Sequence, residues 1–134
     1  QKLMYSYVVR KKVNKSGSEE EIRYHGIPVT SGQIGVSQMA EVISERCSLT
    51  HADVEASVIA LGEVMQEFLS KGHTVYLKGI GLFSVSASSE GFSTAKECTP
   101  SKVKAKRICF KADKYMKVFM GKIKFIRTKR APQK

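Results

Sequence analysis

The segment from Val75 to Phe110 constrains the fold more than any other part of the sequence. Its two ends, VYLKGIGLFSV and RICF, contain the β-branched and aromatic residues that favour strands. Its middle, SSEGFSTAKECTPS, has almost no apolar residue that could enter a core. The sequence therefore predicts strands at both ends of this segment, joined by a long polar connection, with a basic run, KVKAKR, at the far end of that connection.

The length of the chain limits how large a core it can build. With 134 residues, of which 42% are apolar, one domain with a modest core is expected and two ordinary domains are not. The longest apolar runs are only a few residues, and the chain does not open with a signal-peptide pattern. We therefore expect a soluble, cytoplasmic protein with no membrane contact.

Charge is distributed unevenly along the chain. The 23 Lys and Arg residues exceed the 12 Asp and Glu residues, which gives a net charge of +11. Residues 37–70 contain one basic and six acidic residues, whereas residues 71–134 contain sixteen basic and three acidic residues. This asymmetry predicts an acidic helical layer and a basic layer of strands and C-terminal segment. A basic surface of this kind indicates a polyanionic partner.

The cysteine and histidine residues do not indicate a catalytic or metal site. They are scattered and form no CxxC pair: Cys47, Cys98, Cys109, His25, His51 and His73. A disulfide framework or a zinc site is therefore not expected, and the thiols should be reduced. Since no Ser, His and Asp set or paired-carboxylate motif is visible either, we expect no enzymatic activity, no cofactor and no small-molecule substrate.

The first part of the chain is predicted to form a pair of strands followed by a helix. Residues 4–13 are rich in Tyr and Val, SGSEEE is turn-like, and IRYHGIPV reads as a second strand broken near Gly26 and Pro28. Ser37 is the expected N-cap of a short amphipathic helix. Apolar residues at helical spacing follow it: Met39, Ala40, Ile43 and Cys47.

The next segment gives the strongest helix prediction. Thr50 and Asp53 match a capping box, and Gly72 suits a left-handed C-terminal cap. Between them, apolar residues recur at helical spacing and are expected to pack in a core or against a second copy: Val54, Val58, Leu61, Met65 and Phe68. Farther on, Gly79 and Gly81 predict a tight turn between two strands, because the GIG sequence lacks the other features of a nucleotide-binding loop.

This order of elements resembles the HU/IHF-like bacterial histone-like DNA-binding proteins. The resemblance rests on LSKGHTVYLKGIGLFSV and on RICFKADK, which precedes a last predicted helix around YMKVFMGKIKF. The earlier strands, YSYVVRKK and YHGIPVTSG, resemble a divergent, longer HU-related branch. We therefore expect an N-terminal β extension at 1–35, an HU/IHF-like DNA-binding domain at 36–127 and a basic tail at 128–134.

The resemblance implies an α+β fold in an intertwined homodimer. After the extra N-terminal strand pair, two helices would lie under a β-saddle, with a β-arm from each subunit and a short C-terminal helix. Classical members carry an arginine-rich arm whose RNP-like tip inserts a proline and kinks DNA. Because residues 86–106 contain no such tripeptide and no Arg, and because Pro100 is expected to start a turn, we expect weak kinking.

The candidate DNA contacts are basic residues in and around KVKAKR and RICF, at the end of the segment that begins at Val75. Alternation along the strand expected there predicts that Lys102, Lys104 and Lys106 project from one face. The patch should continue toward the last helix, and the resemblance also favours positions that flank this helix and the glycine turn. The full set is Lys78, Lys102, Lys104, Lys106, Arg107, Lys111 and Lys114. The basic tail is expected to be mobile and to add nonspecific attraction.

Two functions fit this sequence. The leading hypothesis is a homodimeric, nucleoid-associated architectural protein that binds and condenses double-stranded DNA without sequence specificity. The alternative is a homodimeric scaffold or protein-interaction module that keeps the fold and bends DNA weakly or not at all. RNA binding is a variant of the first hypothesis, disfavoured because no aromatic RNP-type strand is visible.

Overall fold

The computed structural model describes residues 4–129, and its contacts divide the chain into two units. The first consists of the described parts of Gln1–Gly35 and Phe119–Lys134, and the second is Val36–Val118. The elements in chain order are β1 (Met4–Ser16), β2 (Glu19–Val29), α1 (Val36–Arg46), α2 (His51–Ser70), β3 (Val75–Leu77), β4 (Gly81–Ser88), β5 (Lys104–Ala112), α3 (Lys114–Lys117) and β6 (Lys124–Arg127). The three-part division predicted from sequence stays a prediction, and most of its basic tail lies outside the described residues.

The first unit is a three-stranded sheet with β1 in the centre. β2 pairs with β1 antiparallel over its whole length, without the predicted break. The chain tolerates Pro28 because β2 is an edge strand, where a missing N–H leaves no neighbour unpaired. Gly26 leaves space for the ring of Tyr7, which a Cβ at that position would approach to 3.4 Å. The prediction of a strand pair is confirmed, and the prediction of a break is wrong.

The C-terminal part of the chain differs from the short helix predicted around YMKVFMGKIKF. α3 has only four residues and is followed by a 3₁₀ turn, Val118–Lys122. The next residues form β6, which pairs parallel with the start of β1, from Met4 opposite Lys124 to Tyr7 opposite Arg127. Here strand pairing overrides the helical appearance of the segment, since the alternating side chains of β6 pack beside β1.

Two helices open the second unit. α1 begins at Val36, so the predicted N-cap Ser37 lies inside the helix; its carbonyl oxygen is 2.9 Å from Nε2 of His51. The capping box of α2 is confirmed, because Asp53 N–H donates to Thr50 Oγ1 at 3.1 Å and Thr50 N–H donates to Asp53 Oδ2 at 3.3 Å. Gly72 follows α2 with a φ of 90°, as predicted for a left-handed cap. In the described part of the chain, no helix is long and apolar enough to cross a membrane.

The second unit also contains an antiparallel sheet of order β3-β4-β5. The predicted glycine turn joins β3 to β4, with Gly79 at a φ of 85°. Pairing of β4 with β5 ends at Ser88 opposite Lys104. The 15 residues between those two carry two 3₁₀ turns, Ala95–Glu97 and Pro100–Lys102, and no strand. Pro100 starts the second of these turns, as the sequence predicts.

A single chain encloses few apolar side chains. Among the described residues, the apolar side chains that are buried are Val8, Ala40 and Val54. Phe68 on α2 is 48% exposed and Phe110 on β5 is 52% exposed. Each unit therefore has hydrogen-bonded secondary structure around a very small core.

Candidate nucleic-acid interface

The β3-β4-β5 sheet has one apolar and one polar face. Directly paired residues in neighbouring strands project from the same side of a sheet. The apolar face carries Val75, Leu77, Phe83, Val85, Ile108 and Phe110. The ring centroids of Phe83 and Phe110 are 4.9 Å apart on this face. The opposite face carries Tyr76, Leu82, Ser84, Ser86, Arg107, Cys109 and Lys111.

A bulge in β5 decides which basic residues join the polar face. Ser86 pairs with Arg107 and the next residue, Ala87, pairs with Ala105, so Lys106 has no partner in the ladder. One extra residue in a strand shifts the alternation of all residues beyond it. As a result, Lys104, opposite Ser88, lies on the same face as Arg107.

The predicted alternation of the three lysines is therefore wrong. Lys102 ends the 3₁₀ turn Pro100–Lys102 and precedes the strand, while Lys106 occupies the bulge. The structure groups Lys104 with two other predicted residues, Arg107 and Lys111, on the polar face. The side chains of all these residues are exposed. Their role in binding is a separate matter and stays a prediction.

The polar face continues into a groove of about 360 Å³ at the start of α3. It is lined by Tyr76, Leu82, Lys111, Ala112, Asp113, Lys114 and Lys117. Lys117 was not among the predicted contact residues, although its position three residues after Lys114 would place both on one side of a helix. Nζ of Lys114 also lies 5.1 Å from the ring centroid of Tyr115. Three lysines, Lys111, Lys114 and Lys117, thus line one small concave surface.

Asp113 connects the groove to the glycine turn through hydrogen bonds. Its Oδ2 accepts hydrogen bonds from Gly79 N–H and from the hydroxyl of Tyr76, both at 2.8 Å. Its own N–H donates to the carbonyl of Ile80 at 3.0 Å. The bonds from Gly79 and then Tyr76 hold the pKa of Asp113 below its usual value, and the bond to Asp113 raises the pKa of Tyr76. These hydrogen bonds fix the Asp113 carboxylate in the groove that the three lysines also line.

The remaining predicted residue, Lys78, lies in the turn between β3 and β4 and is exposed. It directly precedes Gly79, which the Asp113 carboxylate fixes. Lys78 is therefore held near the groove through its backbone. Within residues 4–129, no group of three or more His, Cys, Asp and Glu side chains could hold a metal ion.

Residues 4–127 match the model of the HU-HIG family, described as an HU domain fused to a wHTH, Ig or glycine-rich motif. The chain belongs to the HU-HIG family. The predicted resemblance to a divergent HU-related branch is confirmed, and the match includes the N-terminal strands. No curated protein matches this HU-HIG chain.

Two solved structures are similar to this HU-HIG protein. One is a candidate bacterial DNA-binding protein from Bacteroides vulgatus ATCC 8482, with a TM-score of 0.62 and 10% identity, covering 99% of this chain and 52% of that one. This chain thus spans about half the length of that protein. The other is Anabaena HU in a cocrystal with DNA, with a TM-score of 0.49 and 20% identity, covering 65% of this chain and 97% of that one. The mixed α+β fold is confirmed, and the saddle and arm stay predictions.

Proposed function

We propose that this HU-HIG protein binds double-stranded DNA through phosphate contacts made by the polar face of the β3-β4-β5 sheet and the adjoining groove. The observation that carries this proposal is the bulge at Lys106, which places Lys104 beside Arg107 on the polar face. With the groove lysines, the surface presents repeated cations of the kind that neutralise a phosphate backbone. The acid in the groove, Asp113, is hydrogen-bonded to Tyr76 and Gly79.

Binding is expected to be independent of base sequence. The polar face offers Lys, Arg and short Ser side chains on a sheet, and phosphate contacts from such groups position a duplex without reading base edges. Lys78, Lys102 and Lys106 lie at the margins of the surface and would add weaker contacts. The HU domain of the family description and the DNA-binding name of the Bacteroides vulgatus protein support duplex DNA as the partner.

The active form is proposed to be a homodimer. A large set of apolar side chains is at least 39% exposed in a single chain of the second unit: Met39, Val42, Ile43, Val58, Ile59, Leu61, Val64, Phe68, Val85, Ile108 and Phe110. Patches of this extent are covered in stable proteins, and obligate dimers bury such surfaces against an identical copy. The polar faces of two copies would then form the saddle. We expect that the separated chain is not stably folded, because its own core is too small to offset the conformational entropy lost on folding.

The proposed role is architectural, in the bacterial nucleoid, with little bending of DNA. The β4–β5 pairing stops at Ser88 and Lys104, and Pro100 starts a 3₁₀ turn in the connection between them. Kinking requires a rigid apolar wedge held between base pairs. A turn residue without flanking arginines does not supply one.

The proposal is tested by the salt dependence of binding to a random duplex. If each chain of a dimer makes three phosphate contacts, affinity should fall by roughly a thousandfold between 50 and 200 mM salt. The variant Lys104→Ala, Arg107→Ala and Lys111→Ala should weaken binding to all sequences alike and flatten the salt slope. A matched control, Arg46→Ala, Lys71→Ala and Lys96→Ala, removes the same charge from the same unit at residues outside the strands of the β3-β4-β5 sheet.

Fluorescence anisotropy at several salt concentrations measures both quantities. Equal affinities and slopes for the sheet variant and its control would contradict the proposed site. If the parent protein also showed no salt-dependent binding to any duplex, the scaffold function would replace DNA binding.

A further inference from the structure

The first unit contains a two-stranded ribbon that extends past its third strand. β6 pairs with β1 only up to Tyr7, opposite Arg127. From Val8 to Ser16, β1 pairs with β2 alone within the described residues. Two-stranded ribbons are marginally stable in water and expose backbone groups along both edges. A ribbon of this length is therefore a candidate for contact with a partner.

The register of this ribbon sets basic side chains directly opposite one another. Arg10 pairs with His25, and Lys12 pairs with Arg23. Because both pairs are separated by two residues along each strand, all four side chains project from the same face. Directly opposed like charges destabilise a sheet, and Lys12 and Arg23 are such a pair. The arrangement is thus unfavourable in the isolated protein and becomes favourable when an anion lies across the face.

Acidic residues of the ribbon do not neutralise this face completely. Glu21 forms an ion pair with Arg23, and Glu20 lies 3.7 Å from Lys15 near the tip. Among the described residues, Arg10 and Lys12 form no ion pair. Their side chains are exposed, and they lie about 7 Å apart along the strand.

We propose that the β1–β2 ribbon is a second duplex-DNA contact, in which Arg10 and Lys12 bind backbone phosphates. The inference rests on the proposed DNA-binding function and assigns a role to the N-terminal extension. A two-stranded ribbon fits the major groove of B-DNA, which is about 12 Å wide, and cations on its face meet phosphates along the groove wall. The ribbon in the second unit ends at Ser88 and Lys104, so the longest cationic ribbon in the described chain is the N-terminal one.

The test compares two full-length variants that lose the same charge from the same strand. Arg10→Thr with Lys12→Thr removes the unpaired cations of the proposed face. Lys11→Thr with Lys15→Thr is the matched control, because odd-numbered residues of β1 project from the other face. Threonine is used because it favours strands.

The face variant should bind a random duplex at least about tenfold more weakly at 0.1 M salt. Its salt slope should be smaller in magnitude by about 2 if the ribbon of one chain contacts the duplex, and by about 4 if both ribbons do. The control should remain within about threefold of the parent, since one of its lysines already pairs with Glu20. The face variant should also melt no lower than the parent, because the substitution removes opposed like charges. This second measurement separates a lost contact from unfolding.

The outcomes distinguish the ribbon contact from the DNA-binding function proposed for the β3-β4-β5 sheet. If the face variant and the control bind alike, while the Lys104, Arg107 and Lys111 variant is weakened, the ribbon inference is wrong and the proposed function stands. If the parent does not bind duplex DNA, both are wrong. The ribbon face would then be expected to bind an acidic protein instead of DNA.

Discussion

The two antiparallel ribbons, β1–β2 and β4–β5, distribute their side chains differently. In β4–β5, a bulge at Lys106 shifts the register, so that cations gather on one face and apolar residues on the other. In β1–β2, the register is continuous from Ser6 opposite Val29 to Ser16 opposite Glu19. Strict alternation then places Arg10 and Lys12 on one face and Lys11 and Lys15 on the other. The unpaired Lys106 thus accounts for the difference: β4–β5 has its paired cations on one face, whereas β1–β2 has cations on both.

A ribbon with one apolar and one polar face, such as β4–β5, can make two different contacts at once. Phe83 and Phe110 stack on the apolar face of β4–β5, at the same part of the sheet where Lys111 projects from the polar face. A second copy can therefore cover one face while DNA occupies the other. In the first unit, Phe125 packs against Tyr5 and Tyr7 of its own sheet, with centroid distances of 5.6 and 6.4 Å.

The largest expected effect comes from exchanging an aromatic ring for a charge in each sheet. Phe110→Glu should raise the dissociation constant of the proposed dimer by at least about a hundredfold. Each copy would lose a ring whose burial in the proposed interface is worth about 1.5–3 kcal/mol, and would have to bury a carboxylate instead. Phe125→Glu should leave the proposed dimer intact, since Phe125 lies in the first unit and the proposed interface is formed by the second. Sedimentation velocity over a range of concentrations distinguishes the two. A dimeric Phe110→Glu variant at micromolar concentration would remove the apolar face from the proposed interface.

A smaller effect is expected from adding a methyl group to one glycine in each ribbon. A Cβ at Gly81 would lie 2.5 Å from the carbonyl oxygen of Lys111 and from the ring of Phe110. Gly81→Ala should therefore destabilise the fold by about 1–3 kcal/mol. Gly26→Ala should change stability by less than about 1 kcal/mol, because the nearest atom is 3.4 Å away, in the Tyr7 side chain, and alanine lowers the entropy cost of folding. Urea unfolding measures both, and equal values would show that the two ribbons are packed alike.

The smallest effect tests the bulge itself. Inserting one threonine between Ser86 and Ala87 should give Lys106 a partner in β4, restore strict alternation in β5 and move Lys104 away from the face that carries Arg107. DNA affinity should fall by about tenfold at 0.1 M salt, the effect of roughly one lost phosphate contact. Lys106→Ala keeps the bulge and serves as the control, with a change of less than about threefold. If the two variants bind equally, the charge of the segment matters and its register does not.

Local signals in the sequence predicted much of the second unit. Thr50 and Asp53 specify the start of α2, and Gly72 its end, because these interactions form within one turn of helix. The turn around Gly79 was predictable for the same reason. The sequence also predicted the HU-related family, which the match to residues 4–127 confirms.

The errors in the prediction occur where residues distant in sequence interact. The sequence after Lys117 fits both a helix and a strand. Its last part, Lys124–Arg127, forms a strand because it pairs with β1. Gly26 and Pro28 are strand-breaking residues in isolation, yet the edge position of β2 accommodates both. The face to which Lys104 belongs depends on the partner strand, because a bulge is defined by two strands together.

The sequence by itself determined the caps of α2, the glycine turn, the charge asymmetry and the HU-related family, because each depends on residues close together or on composition. Only the tertiary structure decided which lysines share a face, that Asp113 is bonded to Tyr76 and Gly79, and that the C-terminal segment joins the N-terminal sheet. The physical reason is that strand pairing and its register are set by hydrogen bonds between segments far apart in the chain. Shifting such a pairing by one residue reverses the face of every side chain beyond it.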